Sequence, residues 1–125
     1  MQLTENFWLS EFACNDGTEV PEHLIPNVQF LAEQLQVIRD VIGEPIHINS
    51  AYRHEEYNSA IGGSVRSQHI LAKAADLRVG EGFSSGILYD VIIELIKNNE
   101  IYDGGVGLYS SFVHYDVRTS GRARW

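Results

Sequence analysis

Two histidines and an aspartate form a set of side chains able to bind a divalent metal. His69 and Asp76 lie in the stretch Ser67-Gln68-His69-Ile70-Leu71-Ala72-Lys73-Ala74-Ala75-Asp76, and His114 follows much later in His114-Tyr115-Asp116. Catalytic zinc commonly takes three protein ligands, imidazole nitrogens or carboxylate oxygens, and leaves a further position open for water. The alternative is two hydrogen-bonded histidines and an exposed aspartate. The setting favours the metal, because Gly62-Gly63 gives a flexible lead-in and small residues surround the motif.

Strands are predicted to position these side chains. Residues 46–50 alternate in polarity, with Ile46 and Ile48 on one face and His47 on the other. Residues 74–79 read as a strand that holds Asp76 on a rigid element. A hairpin is predicted over 106–109 and 112–118, with Ser110-Ser111 at its bend, and it turns His114 and Asp116 to the same side. Tyr115 then faces the opposite side and packs.

Helices are predicted on either side of the first strands. Apolar residues recur at helical spacing over 27–42, and Gly43 supplies the stop. A second helix is predicted over 85–98, with Ser84 or Ser85 as its N-cap. With no repeats and no low-complexity linker, residues 1–125 are predicted to form one domain. Its class is α+β, a small mixed domain with a central antiparallel sheet flanked by helices.

The N-terminal segment is predicted to contribute core residues. Phe7, Trp8 and Phe12 are expected to pack inward, although aromatic residues there could also line a groove. Cys14 is the sole cysteine, so no internal disulfide can form, and we interpret it as a small buried residue rather than a nucleophile.

Composition excludes some partners. The chain carries a formal net charge of −8 and has a pI of about 4.9, which argues against a nucleic-acid surface. No apolar run approaches the ~20 residues of a membrane span, so no membrane partner is predicted. The N-terminus lacks a signal peptide. We therefore expect a monomer made in the cytoplasm, which would reach an outside target by lysis or by delivery in a phage particle.

The motifs resemble those of a known family, the zinc D-Ala-D-Ala carboxypeptidases and related peptidoglycan endopeptidases, which share a fold with the hedgehog signalling domain. The family pattern is Ser-x-His-x-x-Gly-x-Ala-x-Asp, followed by His-x-His or His-x-Asp, and it matches Ser67 to Asp76 and His114-Tyr115-Asp116. The resemblance extends to Ser50-Ala51-Tyr52-Arg53, to Asn58 with Gly62-Gly63, and to Leu9-Ser10-Glu11-Phe12. One departure is Ala72, which stands where the family has glycine. The alanine is expected to be tolerated if this backbone keeps a negative φ.

The resemblance implies a hedgehog/DD-peptidase fold and one zinc ion bound by His69, Asp76 and His114. It implies hydrolysis of amide bonds in peptidoglycan peptides, for which zinc would lower the pKa of water towards ~7 and polarise the carbonyl. Arg53 is predicted to bind a substrate carboxylate, since a guanidinium matches a carboxylate bidentately. The alternative for Arg53 is a surface ion pair with Glu55 or Glu56.

Ser67 and Gln68 are further candidates for substrate binding, although Ser67 could equally cap the local turn. The general base is less clear from the motifs. Several branches of the family carry an acid three positions before the last histidine, where this chain has Ser111. Asp116 is the remaining candidate catalytic base, and its alternative role is to orient a ligand histidine.

Three functions remain open on the sequence. The first is a zinc peptidase that cuts stem peptides or cross-links of bacterial cell wall, as a carboxypeptidase or an endolysin-type endopeptidase. The second is a non-catalytic zinc-containing binding or structural domain, such as a phage structural module, because fold alone does not decide function. The third is a metallopeptidase for small dipeptides.

Overall fold

A five-stranded sheet positions the predicted metal ligands. The computed structural model describes residues 1–125, and the strands are β1 (Ile46–Ser50), β2 (Ala74–Val79), β3 (Gly105–Leu108), β4 (Val113–Asp116) and β5 (Ala123–Arg124). Their order across the sheet is β1-β2-β4-β3-β5. All neighbours are antiparallel except β3 and β5, which are parallel. The predicted α+β class is therefore confirmed, and β5 adds a parallel edge to the expected antiparallel sheet.

Three helices accompany the sheet: α1 (Ile25–Ile42), α2 (Glu55–Ala60) and α3 (Ser85–Lys97). Helix α1 ends at Gly43, whose φ of 73° suits glycine and whose N–H donates to the Arg39 carbonyl. At the start of α3, the Ser84 hydroxyl accepts a hydrogen bond of 3.2 Å from the Ile87 N–H. Helix α3 contacts α1 and strands β2, β3 and β4, so the apolar core lies between these elements. No helix combines the length and the apolar character needed to cross a membrane.

The N-terminal aromatic residues divide between core and surface. Phe7 and Phe12 are buried, with ring centroids 6.3 Å apart. Trp8 is 49% exposed, so the expectation that it packs inward is wrong. Extended backbone turns successive side chains to opposite faces, and Trp8 has extended φ and ψ. With Phe7 facing the core, Trp8 must face solvent.

The backbone at Ala72 is in an unusual conformation for alanine. Its φ is +56°, in the left-handed region, and the residue is buried. The condition of a negative φ, under which the alanine was expected to be tolerated, is therefore not met. The turn requires this geometry because the Ala72 N–H donates to the His69 carbonyl and the Lys73 N–H donates to the Gln68 carbonyl. Alanine accordingly occupies a position for which glycine is the usual choice.

Candidate metal centre

The three predicted ligands come from two adjacent strands and the turn that precedes them. Asp76 on β2 and His114 on β4 are direct register partners. His69 lies in the turn that leads into β2, where its N–H donates to the Ser67 hydroxyl. All three residues are buried. The sheet thus holds two of the ligands rigidly, and the tight turn brings the third beside them.

Three potential ligand atoms converge on one point. His69 Nε2 lies 3.3 Å and His114 Nδ1 lies 3.1 Å from the same oxygen, Asp76 Oδ1. The three atoms all lie within 4.8 Å of one another. Ligand atoms around a tetrahedral zinc, with bonds of about 2.0–2.1 Å, are separated by roughly 3.3–3.4 Å. The two separations from Asp76 Oδ1 therefore match those expected between ligands of one zinc ion.

The other nitrogen of each ring faces an acceptor, which sets the tautomer. His69 Nδ1 lies 2.6 Å from the Ala51 carbonyl, and His114 Nε2 lies 2.7 Å from Asp116 Oδ2. A carbonyl or an ionised carboxylate can only accept, so these nitrogens carry the protons. In the neutral rings the lone pairs then lie on His69 Nε2 and His114 Nδ1, directed at the shared point. Metal-ligating histidines are held in this way by their outer partners.

The electrostatics of the cluster keep its acids ionised. Burial opposes ionisation of Asp76. When no metal is bound, a proton on each facing ring nitrogen lets His114 and His69 donate to this carboxylate, which outweighs the effect of burial and holds the pKa of Asp76 below its usual range. Burial acts to lower the pKa of His114, yet its hydrogen bonds to Asp116 and Asp76 prevail and raise that pKa. The cluster therefore supplies an anionic oxygen at neutral pH.

Asp116 lies behind His114 and is fully buried. Its Oδ1 accepts from the Gly105 N–H and from Arg118, and its Oδ2 accepts from Arg118 Nη2 at 2.6 Å. Despite burial, these bonds from Arg118 and that from His114 hold the pKa of Asp116 below its usual range. A Cβ added at Gly105 would lie 2.3 Å from Asp116 Oδ2, so glycine there makes room for the carboxylate.

Arg53 is held beside the opposite oxygen of Asp76. Its Nη2 lies 3.4 Å from Asp76 Oδ2, its Nε donates to the Ser50 hydroxyl and its Nη1 donates to Asn58 Oδ1. The ion pair with Glu55 or Glu56 that was considered for Arg53 does not form. A Cβ at Gly63 would lie 2.1 Å from Asn58 Oδ1. Gly63 is therefore needed for close packing on Asn58 rather than for flexibility alone.

A cleft of about 560 Å³ opens onto the ligands. Ser67 and Gln68 line it with Arg53, and the Ser67 hydroxyl also accepts the N–H of His69 within the turn. The lining includes three arginines and a single acid, the ligand Asp76. In a chain of net charge −8, this concentration of arginine makes the cleft suited to anionic groups.

Trp125 is a component of the cleft that the sequence analysis missed. Its ring centroid lies 4.9 Å from that of His114, and its Nε1 donates to the Tyr109 hydroxyl at 2.7 Å. The guanidinium carbon of Arg118 lies 5.4 Å from the indole centroid. Trp125 reaches this position through backbone hydrogen bonds that extend the β3–β5 pairing, with Val106 and Leu108. Only the basic, aromatic character of residues 121–125 could have hinted at this role.

A second group of possible ligands, Cys14, Asp16 and His54, lies elsewhere. His54 Nε2 is 2.6 Å from Asp16 Oδ2, while its Nδ1 accepts from the Tyr57 N–H as the N-cap of α2. That tautomer carries its proton on Nε2, the nitrogen that a metal would need. We therefore assign this group as a helix cap in which His54 also donates a hydrogen bond to Asp16. Cys14 is buried, as expected.

Comparison with known proteins agrees with the geometry. The sequence model of the Peptidase M15 family matches residues 5–116, which include all three ligands, Arg53 and Asp116. The search of curated proteins finds no match. Because the family match covers most of the chain and the converging side chains fit the metal of that family, the chain belongs to the peptidase M15 family of zinc metallopeptidases.

Proposed function

We propose that the protein hydrolyses amide bonds in the peptides of bacterial cell-wall peptidoglycan, with one zinc ion held by His69, Asp76 and His114. The observation that carries this proposal is the convergence of His69 Nε2 and His114 Nδ1 on Asp76 Oδ1 at the floor of an arginine-lined cleft. Peptidoglycan stem peptides present free carboxylates, which suit such a cleft. Zinc, when bound, supplies Lewis acidity towards a carbonyl and makes water a better nucleophile near neutral pH.

The residues of the chain orient the ligands and the substrate. Asp116 holds the Nε2 proton of His114, and the Ala51 carbonyl holds the Nδ1 proton of His69. Arg53 uses three of its donor directions on Ser50, Asn58 and Asp76, and its remaining N–H groups are available to bind a substrate carboxylate. Ser67 and Gln68 at the edge of the cleft would bind the peptide backbone.

For Asp116 we propose the orienting role rather than that of general base. Its carboxylate is fully buried and accepts from Gly105, Arg118 and His114. A base for water would need a free lone pair facing the cleft, and this arrangement leaves none directed there.

The deciding experiment measures zinc content and the release of new amino groups from purified peptidoglycan. We expect one zinc per chain and turnover in the wild type, and loss of both in His69→Ala. His47→Ala is the matched control, because His47 is exposed on the far face of β1, and it should retain both properties. Mass spectrometry of the products distinguishes carboxypeptidase from endopeptidase cleavage.

One observation favours a second function, a zinc-containing binding domain without turnover. Asp76 is the only acidic residue that lines the cleft, and Ser111 stands where branches of the family carry an acid. Stoichiometric zinc and peptide binding without cleavage of any wall type would support this function. Turnover of free dipeptides but not of peptidoglycan would support the dipeptidase alternative.

The proposal also includes how the protein meets its substrate. We propose a monomer that reaches the wall on lysis or within a phage particle. Size-exclusion chromatography with light scattering tests the first part. Fractionation of infected or induced cells tests the second.

A further inference from the structure

Arg118 lies in the cleft but directs its charge into the protein. Its Nε donates to Asp116 Oδ1 at 2.9 Å, its Nη2 donates to Asp116 Oδ2 at 2.6 Å, and its backbone N–H donates to Oδ1 at 3.1 Å. The edge of the guanidinium that matches a carboxylate bidentately is therefore used on a buried acid. The match to the peptidase family ends at residue 116, so it does not extend to Arg118.

Three neighbours hold Arg118 in this position. The Tyr102 hydroxyl donates to the Arg118 carbonyl at 2.8 Å. A Cβ at Gly105 would lie 2.8 Å from both Nε and Nη2 of Arg118, so glycine there leaves the space that the guanidinium occupies. The guanidinium carbon lies 5.4 Å from the centroid of the Trp125 indole, within the range of a cation–π contact. The pair of Arg118 and Asp116 is thus built into the fold.

Asp116 depends on this pair for its orientation. Its Oδ2 faces His114 Nε2 at 2.7 Å, and this contact is lost if the plane of the carboxylate turns. The Gly105 N–H holds only Oδ1, whereas the guanidinium holds both oxygens and so fixes that plane. With a metal on Nδ1 and the proton on Nε2, the His114 ring is neutral. Arg118 is then the only cation in contact with the buried carboxylate, which is strongly unfavourable without one.

Resting on the zinc site proposed above, we infer that Arg118 is a positioning residue for the metal centre. Its guanidinium fixes Asp116, and Asp116 holds the Nε2 proton of His114, which leaves the Nδ1 lone pair directed at the metal. Zinc affinity then depends on a side chain that makes no hydrogen bond to any of the three ligands, since the Arg118 guanidinium donates only to Asp116.

The other role open to Arg118 is to bind an anionic group of the substrate, because its side chain is 20% exposed and lines the cleft. A substrate-binding arginine affects KM and leaves the zinc affinity of the free protein unaltered. A positioning residue lowers that affinity when no substrate is present. Measurements of zinc affinity in the absence of substrate therefore separate the two roles.

The sign of the expected effect is informative. On charge alone, removal of a nearby arginine strengthens the binding of a cation, because it removes a repulsion. We expect the opposite in Arg118→Ala, a zinc affinity at least tenfold weaker than that of the wild type, as for other lost outer partners of a ligand. Competition with a chromophoric chelator measures it. Equal or stronger zinc binding in a folded Arg118→Ala would overturn the inference.

Arg66→Ala is the matched control. Arg66 lines the same cleft, is exposed, and its guanidinium makes no hydrogen bond or ion pair within the protein. Its loss removes the same charge, so zinc affinity should be unchanged or slightly stronger. Guanidinium ions at tens of millimolar should restore part of the affinity of Arg118→Ala, and ammonium ions should not, since they cannot hold both oxygens. Equal rescue by the two ions would contradict the role of the bidentate contact.

A double-mutant cycle tests whether Arg118 acts through Asp116. In the Asp116→Asn background, the further change Arg118→Ala should weaken zinc affinity by less than about threefold, because the carboxylate that the arginine orients is already absent. Equal fold-losses for Arg118→Ala in the two backgrounds would overturn the inference.

Arg118→Lys keeps the inference testable if Arg118→Ala does not fold, since lysine retains the charge but cannot span both oxygens. The proton on His114 Nε2 is followed by heteronuclear NMR in the zinc-loaded protein. It should exchange slowly with water in the wild type and several times faster in Arg118→Lys. Wild-type exchange and zinc affinity in this variant would overturn the inference. Absence of zinc binding by the wild type would instead contradict the proposed function itself.

Discussion

At the scale of the residue, the oxygen atoms that accept from the outer nitrogens of the ligand histidines determine which tautomer each ring adopts. Asp116 touches His114 on the side away from Asp76, at 2.7 Å. An asparagine in its place keeps the shape but can present an N–H to the ring nitrogen, which favours the wrong tautomer for ligation.

We predict that Asp116→Asn weakens zinc affinity by about 10–100-fold, the usual effect of losing an outer partner of a ligand. Competition with a chromophoric chelator measures it. Arg53→Lys serves as the comparison, since it changes a neighbour of Asp76 while leaving both ring tautomers intact. If Asp116→Asn kept wild-type affinity and lost only turnover, Asp116 would be the general base.

The variant Ala72→Gly tests the left-handed backbone conformation at residue 72. Relief of its left-handed backbone in Ala72→Gly is worth roughly 1–2 kcal/mol. Loss of a buried methyl group costs about 0.8 kcal/mol, and the added flexibility of the unfolded chain costs about 0.4–1 kcal/mol. These contributions nearly cancel, so the free energy of unfolding should stay within about 0.5 kcal/mol of wild type.

Ala74→Gly is the matched control for that variant. Ala74 is equally buried, and its φ is not positive. It has no strain to relieve, so we expect a destabilisation of about 1–2 kcal/mol. Urea denaturation of both variants measures the difference. Equal destabilisation of the two would contradict the left-handed geometry at Ala72.

The residues also show what the sequence could predict. Ligand types and spacing indicated His69, Asp76 and His114, and the structure brings all three together. The positive φ of Ala72 could not be predicted, because it is imposed by backbone hydrogen bonds within the turn, from Ala72 to His69 and from Lys73 to Gln68. The exposure of Trp8 could not be predicted either, because the sequence does not show which of the adjacent residues Phe7 and Trp8 faces the core.

At the scale of the element, β3 and β5 together hold Trp125 beside the ligand His114. Gly107 pairs with His114 across the sheet and lies under the indole of Trp125. Glycine at this point of a strand reflects close approach of another group.

We predict that Gly107→Ala displaces Trp125, because the new Cβ would lie 2.4 Å from the indole. The variant should be destabilised by about 1–3 kcal/mol, as expected for overpacking, and the emission of Trp125 should change in the Trp8→Phe background. Gly86→Ala in α3 is the control, since its Cβ would meet only the Ser84 hydroxyl at 3.7 Å. Identical behaviour of the two variants would contradict the role of Gly107.

Most regular elements were predictable, including the hairpin of β3 and β4, and the two-residue strand β5 was not. The strands 46–50 and 74–79 agree with their predicted bounds, and α1 and α3 differ only at their ends. Alternation and helical spacing extend over enough residues there to be recognised. Strand β5 has only two residues, and its parallel pairing with β3 is decided by tertiary contacts that no local pattern encodes.

At the scale of the whole molecule, the metal contributes to folding. The three ligands join the turn at His69 with β2 and β4, and their buried polar atoms otherwise have only one another as partners on the metal side. A ligand that binds only the native state stabilises it according to its free concentration.

We predict that free zinc at one hundred times its Kd stabilises the protein by about 2.7 kcal/mol. For a chain of this size that raises Tm by roughly 10 °C, measurable by calorimetry before and after treatment with a chelator. In His69→Ala the same addition of zinc should leave Tm unchanged. A zinc-dependent shift of equal size in that variant would place the metal elsewhere.

The arginines of the cleft have a kinetic consequence. The rest of the surface carries an excess of acidic groups. Most of the protein surface therefore repels a negatively charged polymer, and only the face with the arginine-lined cleft attracts it. Productive encounters are then selected by orientation before any contact is made, and this advantage fades as ions screen it beyond about 8 Å at physiological salt. For the cell-wall substrate proposed above, the acidic surface of the protein would then disfavour contact everywhere except at the mouth of the cleft.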